Sequence, residues 1–105
     1  MATHYTITCH SMAEKDVALI KSLLGIVGKV AGADWEWRES VPAYVVIIDT
    51  DHARVGSLKE AKPRAVVTYV SPDKTLVPNT IALGKPARAR DLIDVLTMVH
   101  ASLGA

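Results

Sequence analysis

The sequence predicts an α/β fold, a three-layer sandwich around a mostly parallel sheet of about five strands. Three observations favour it. Continuous apolar runs typical of buried parallel strands recur along the chain, helical patterns with one apolar face lie between them, and hydrophobic residues make up 50% of the 105 residues. A chain of this length and composition can fill the core of one small domain.

The first strand and the first helix are predicted at the start of the chain. Residues 4–9, HYTITC, alternate and are rich in residues that favour strands. Ser11 and Glu14 fit a capping box, in which the serine oxygen accepts an amide of the first helical turn and the glutamate reaches back. A stripe at helical spacing then predicts a helix from about Met12 to about Gly28. The stripe consists of Val17, Ile20, Leu24 and Val27.

The middle of the chain contains two clear strands and three less defined stretches. Residues 34–39, DWEWRE, fit either a short strand with one buried face or a helical turn. The apolar runs at 44–49 and 64–70 predict parallel strands that are covered on both faces. Residues 51–62 have room for a short helix, and we expect 71–79, with two prolines, to form a loop.

The last part of the chain predicts a strand followed by a helix. Residues 80–84, TIALG, suit a short strand, and residues 87–103 carry the strongest helical stripe. That stripe consists of Leu92, Val95, Leu96, Val99 and Leu103.

Charge and composition exclude several classes of function. The net charge of +1 gives no broad basic field, so we expect neither nucleic acid nor an anionic membrane surface as a partner. One cysteine excludes an internal disulfide framework and fits a reducing cytosol. No apolar run approaches the roughly 18 residues of a membrane span, and the first residues do not resemble a signal peptide. We therefore expect a single cytoplasmic domain over 1–105, either alone or as the N-terminal part of a longer protein.

Three stretches resemble the receiver domain of bacterial response regulators, which has a flavodoxin-like sheet. Residues 81–96, IALGKPARARDLIDVL, resemble its last strand and helix, where a lysine before a usually cis proline pairs with the phosphorylated aspartate; Lys85 and Pro86 match these positions. VPAYVVIID resembles the third receiver strand, which ends in the phosphoacceptor, matched by Asp49. AVVTYVS resembles the fourth strand, and Ser71 matches the hydroxyl residue that contacts the phosphoryl group.

The chain departs from that family at the metal site. Receivers carry an acidic pair at the end of strand one that holds Mg²⁺, and here Cys9 and His10 stand in its place. A thiol and an imidazole are not the oxygen ligands that Mg²⁺ prefers. Asp51 and His52 also replace the usual Met-Pro after the acceptor. The resemblance thus implies a degenerate receiver without catalysis, metal or cofactor, in which Lys85 pairs permanently with Asp49.

The resemblance further implies a role in bacterial signal transduction through protein–protein contacts. The partner would be another protein, an adjoining output domain or a second copy in a homodimer, and it would bind the face built from strands four and five and the last helix. Ile93 and Met98 lie off the main stripe of that helix and are candidate contacts. We also expect one of Trp35 and Trp37 to be exposed as an interface anchor, with Trp35 as the candidate, the alternative being that both are buried.

Two other functions remain as alternatives. Cys9, at a strand end before a helix, resembles the phosphocysteine of sugar-phosphotransferase IIB domains, although CHSMAEKD lacks the glycine of that loop and a buried, inert thiol is the simpler interpretation. Lys85, Arg88 and Arg90 form a local basic group that would suit an anionic nucleotide messenger. The simpler interpretation of these three is a solvated group of charges.

Overall fold

A computed structural model of the chain describes residues 3–27, 33–39, 43–51, 63–71 and 81–104. The helix predicted within 51–62 and the loop predicted at 71–79 lie outside these ranges, apart from Asp51 and Ser71.

All five described strands pair in parallel in one sheet. They are β1 (Thr3–His10), β2 (Ala33–Trp37), β3 (Val45–Asp49), β4 (Ala65–Val70) and β5 (Ile81–Gly84). The sheet order is β2-β1-β3-β4-β5. This order is that of flavodoxin-like folds, and the predicted parallel sheet is confirmed. The ambiguous DWEWRE stretch forms a strand.

The two described helices, α1 (Glu14–Val27) and α2 (Ala89–Gly104), cover the same face of the sheet and contact each other. Their apolar stripes meet the side chains of β1, β3, β4 and β5 in one core. Neither helix is long and apolar enough to cross a membrane. The residues at the centre of this core include Ile7, Ile20, Leu24, Ile47, Val67, Leu83, Leu92 and Leu96.

The strand β3 is buried on both faces. Val45 and Ile47 belong to the core beneath the helices, whereas Val46 and Ile48 form a second cluster on the opposite face, and all four are fully buried. Alternate residues of a strand point to opposite faces, so an uninterrupted apolar run is what an inner strand of a three-layer sandwich requires.

The start of α1 differs from the predicted capping box. The backbone N–H of Val17 donates to the carbonyl of Ala13 at 3.0 Å, which makes Ala13 the N-cap. Ser11 is exposed, with a φ of 52°, and lies two residues before that N-cap. The capping-box prediction is wrong because β1 continues through His10, and the chain needs the left-handed turn at Ser11 before a helix can begin.

Trp35 is buried rather than exposed, which corrects its assignment as an interface anchor. Only 6% of its surface is accessible, and its ring centroid lies 4.8 Å from that of Tyr5 in the core. Trp37 is partly buried against the same core. Residues two apart in a strand share a face, so the alternation places both tryptophans on the side that the helices cover.

The packing of α2 predicts that alanine substitutions at two of its residues, Leu96 and Met98, change stability to different extents. Leu96 is fully buried and Met98 is 54% exposed. We expect Leu96→Ala to lower the free energy of unfolding by about 2 to 5 kcal/mol, because it leaves a cavity, and Met98→Ala to change it by less than about 0.5 kcal/mol. Urea denaturation followed by tryptophan fluorescence measures both. Equal effects at the two positions would contradict the packing described for α2.

Candidate functional site

A cluster of charged side chains lies at the carboxyl ends of β3, β4 and β5. Asp49 ends β3, Ser71 follows β4 and Lys85 follows β5. In open parallel sheets ligands bind at this edge, beside the point where the strand order reverses, which here lies between β1 and β3. The structure therefore brings together the three polar residues that the sequence singled out at this edge.

The ammonium group of Lys85 is the centre of the cluster. Its Nζ donates to both carboxylate oxygens of Asp49, at 2.9 Å to Oδ1 and 2.8 Å to Oδ2, and to Oδ2 of Asp51 at 2.9 Å. The side chain of Asp49 is fully buried, and that of Lys85 is 19% exposed. A buried carboxylate needs such a partner, because an unpaired charge away from water is costly.

The end of β5 is held in place by β4. The backbone N–H of Lys85 donates to the carbonyl of Val70 at 3.0 Å, and the N–H of Ala87 donates to the hydroxyl of Tyr69 at 3.2 Å. The Lys85 Nζ also lies 5.2 Å from the centroid of the Tyr69 ring. The Lys85–Pro86 peptide bond is cis, as the family resemblance implies. These contacts direct the lysine side chain across β4 towards β3.

Asp51 is a member of the site that the sequence did not single out. Its Oδ2 accepts from Ser71 Oγ at 2.6 Å and from the Ser71 N–H at 3.3 Å. Its own N–H donates to Asp49 Oδ1 at 3.0 Å, an Asx-type turn in which an aspartate caps the backbone two residues later. That spacing of two acids after an apolar strand was the signal that would have placed Asp51 here.

The hydrogen bonds set the protonation of the cluster. The Ser71 hydroxyl, followed by Lys85, lowers the pKa of Asp51 to about 2. Partial burial disfavours the charged form of Lys85, but its hydrogen bonds to Asp49 and Asp51 outweigh burial and raise its pKa. The cluster thus sets two acidic side chains, Asp49 and Asp51, around one basic side chain. It is therefore not a site that attracts an anion.

The end of β1 contributes no acid to this edge. Cys9 pairs in register with Ile47 and His10 with Ile48, and Cys9 packs against the core beneath the helices. Burial, with a smaller contribution from the charge of Asp16, raises the pKa of Cys9 to about 12. The thiol is thus protonated at neutral pH, which leaves it a poor nucleophile.

The residues present do not fit the magnesium ion of receiver domains. Within the described ranges there is no group of three or more His, Cys, Asp and Glu side chains that could hold a metal ion. Mg²⁺ takes oxygen ligands in near-octahedral arrangement, and the place of the acidic pair holds Cys9 and His10. Lys85 already engages the carboxylates of Asp49 and Asp51.

The other candidate contact residues lie on α2 and in the turn before it. Arg88 and Arg90 are exposed at its start, and Met98 is exposed further along the helix. Ile93 is only partly accessible, because it packs against the core. An open groove of about 300 Å³ is lined by this helix and β5, with Gly84, Asp91, Asp94 and Met98 among its lining residues.

Comparisons with protein-family models, with curated proteins and with solved structures found no match to this chain.

Lys85 is expected to contribute strongly to stability. We expect Lys85→Met to lower the free energy of unfolding by about 3 kcal/mol, because it leaves the buried carboxylate of Asp49 without its ammonium partner. Adding Asp49→Asn should recover part of the loss, since the neutral amide needs no counter-ion. Urea denaturation of the two single variants and the double variant measures this coupling. Strictly additive effects would show that the two side chains do not interact.

The lowered pKa of Asp51 predicts that the free energy of unfolding decreases in acid. A carboxylate whose pKa is about 2 in the folded chain and about 3.9 when unfolded stabilises the fold above pH 4, and this contribution disappears as the pH falls towards 2. The stability difference between the wild type and Asp51→Asn should therefore be constant near neutral pH and shrink between about pH 4 and pH 2. Urea denaturation across this range measures it.

Ser71→Ala is the matched variant for that experiment. It removes the hydroxyl donor that contributes most to the low pKa of Asp51, so the acid transition should move to higher pH. A difference between wild type and Asp51→Asn that stays constant down to pH 2 would show that Asp51 is not held ionised by these bonds.

Proposed function

We propose that the chain is a receiver-like signalling module that acts by binding other proteins in bacterial signal transduction and does not use the magnesium-dependent phosphorylation cycle. The observation that carries the proposal is the ion pair of Lys85 with both oxygens of Asp49, at a strand edge where Cys9 and His10 replace the acidic pair.

The state of Asp49 supports the absence of phosphoryl transfer. To accept a phosphoryl group, one carboxylate oxygen must approach the donor, while a metal ion or other cation neutralises the charge that develops. In this chain both oxygens accept hydrogen bonds from the Lys85 ammonium, and the side chain is fully buried.

The chemistry of the site also weighs against the two alternatives. A phosphocysteine carrier needs a thiolate, and burial keeps the Cys9 thiol protonated by raising its pKa to about 12. An anionic nucleotide would meet a Lys85 that Asp49 and Asp51 already neutralise, leaving only the exposed Arg88 and Arg90 for its phosphates. Protein binding requires neither a reactive thiol nor an unpaired lysine.

The exposed side of α2, together with β5, is the binding surface that we propose. Met98 is 54% exposed and offers a large apolar side chain on the outer side of α2 that a partner could cover. It lines the groove beside β5, with the acidic Asp91 and Asp94 next to it. Lys85 directly follows Gly84, which lines this groove, so its ion pairs would hold this surface in one conformation.

Incubation with Mg²⁺ and acetyl phosphate tests the first half of the proposal. We expect intact-mass spectrometry to show no phosphorylated chain, because neither the metal ligands nor an accessible Asp49 oxygen is available. An active receiver treated in parallel is the positive control. A stable acyl phosphate on the wild type that disappears in Asp49→Asn would contradict the proposal.

Site-specific photo-crosslinking tests the second half. A photoreactive side chain at Met98 should crosslink an identified signalling protein in cells of the source organism, whereas the same group at Ser22, exposed on α1, should not. Equal crosslinking at the two positions, or none at Met98, would remove the α2–β5 surface as the binding site.

A further inference from the structure

We propose a second binding surface, at the opposite edge of the sheet: the outer edge of β2 takes an extended peptide segment in which basic and apolar side chains alternate. A groove of about 380 Å³ lies there between β2 and the C-terminal half of α1. Leu24, Ile26 and Trp35 supply apolar lining, and Asp34 and Glu36 supply carboxylates. This surface contains no residue of the Lys85 cluster, and the inference does not rest on the proposed function.

The main chain of β2 can pair with an added strand. Among the described strands β2 pairs only with β1, and it forms an edge of the sheet. The N–H of Arg38 donates to Ile7 of β1 at 2.8 Å, and successive residues of a strand direct their N–H and C=O groups to alternate sides. The backbone N–H and C=O groups of Trp35 and Trp37 therefore point away from β1. An extended peptide can pair with these groups by strand addition.

The two faces of β2 differ in character, and this sets the pattern of the added segment. The Trp35 ring packs at a tilt against Tyr5 on the face covered by the helices, where Ile26 of α1 is 70% exposed. On the opposite face Glu36 lies 3.5 Å from His4, and Asp34, two residues earlier, shares that face. In an added strand, alternate side chains would meet apolar Ile26 on one face and the carboxylates on the other.

The charges of the groove favour a basic occupant. The contact of Glu36 with His4 is long and both side chains are more than half exposed, so it offsets little of the negative charge. Arg38, the next residue on that face, does not line the groove. Two carboxylates on one face of β2 and the exposed apolar Ile26 on the other thus match a segment that alternates lysine or arginine with an aliphatic residue.

Trp35 adds a polar feature to the same groove. Its side chain lines the groove and is 6% exposed, and its Nε1 is buried with no hydrogen-bond partner among the described residues. Buried donors in folded proteins are nearly always satisfied. A main-chain carbonyl of a bound segment is the type of acceptor that this N–H lacks.

Titration with short synthetic peptides, followed by NMR of the ¹⁵N-labelled chain, tests the proposal. A peptide of about six residues that alternates lysine and valine should bind saturably and shift the backbone amides of Trp35 and Trp37. The same peptide with N-methylated backbone amides should not bind, because it cannot complete the strand pairing. A peptide that alternates glutamate and valine should not bind, because the carboxylates repel it.

A matched pair of charge reversals tests the position of the site. Asp34→Lys with Glu36→Lys should weaken binding of the lysine–valine peptide by about tenfold or more. Glu14→Lys with Asp16→Lys makes the same change of charge in the first turn of α1, away from the groove, and should leave the affinity unchanged. If the first pair unfolds the chain, the N-methylated peptide on the wild-type chain still decides whether strand addition occurs.

Four results would overturn the proposal. The first two are the absence of saturable binding at millimolar peptide and binding that persists with N-methylated amides. The other two are an equal loss of affinity in the two charge-reversed chains and a dimer in which β2 pairs with its own copy and excludes the peptide. Sedimentation equilibrium over a range of concentrations detects the dimer, and the NMR shifts identify its interface.

Discussion

One ammonium group connects the end of β5 with the end of β3 and with the turn that follows β3. Lys85 extends from the end of β5 across β4 to the buried carboxylate of Asp49 on β3, and it also contacts Asp51, which accepts the Ser71 hydroxyl after β4. A buried carboxylate is tolerated only when a counter-ion and hydrogen bonds replace water. The buried carboxylate of Asp49 therefore depends on the lysine, whose backbone is itself held by β4.

The same contact that stabilises the edge also engages its polar atoms. Both oxygens of Asp49 accept hydrogen bonds from Lys85, and Ser71 and Lys85 hold Asp51 ionised by lowering its pKa to about 2. Partial burial of Cys9 raises the pKa of its thiol to about 12. Function is then best sought on the outer surfaces, where the helix α2 and the two edge strands expose apolar and acidic groups beside grooves.

Sequence patterns predicted positions along the chain more reliably than side-chain environments. The capping box predicted at Ser11 was wrong because the sequence pattern does not show where β1 ends. Ser11 adopts a left-handed conformation, and the helix begins three residues later, at Glu14. The prediction that Trp35 is exposed was wrong because residues two apart in a strand share a face. Trp35 and Trp37 both lie on the face that α1 covers. Asp51 was missed because its partners, Ser71 and Lys85, are 20 and 34 residues away along the chain.

The sequence by itself determined the parallel α/β sheet, the two described helices and the strand ends that carry Asp49, Ser71 and Lys85, because hydrophobic periodicity is a local property of the chain. Only the tertiary structure decided that Asp51 completes the cluster, that Lys85 pairs with unmodified Asp49, and that β2 leaves an acidic groove at the sheet edge. These features depend on distances between elements far apart in sequence, and a pattern along the chain contains no information on which side chains the folded sheet brings within hydrogen-bonding distance.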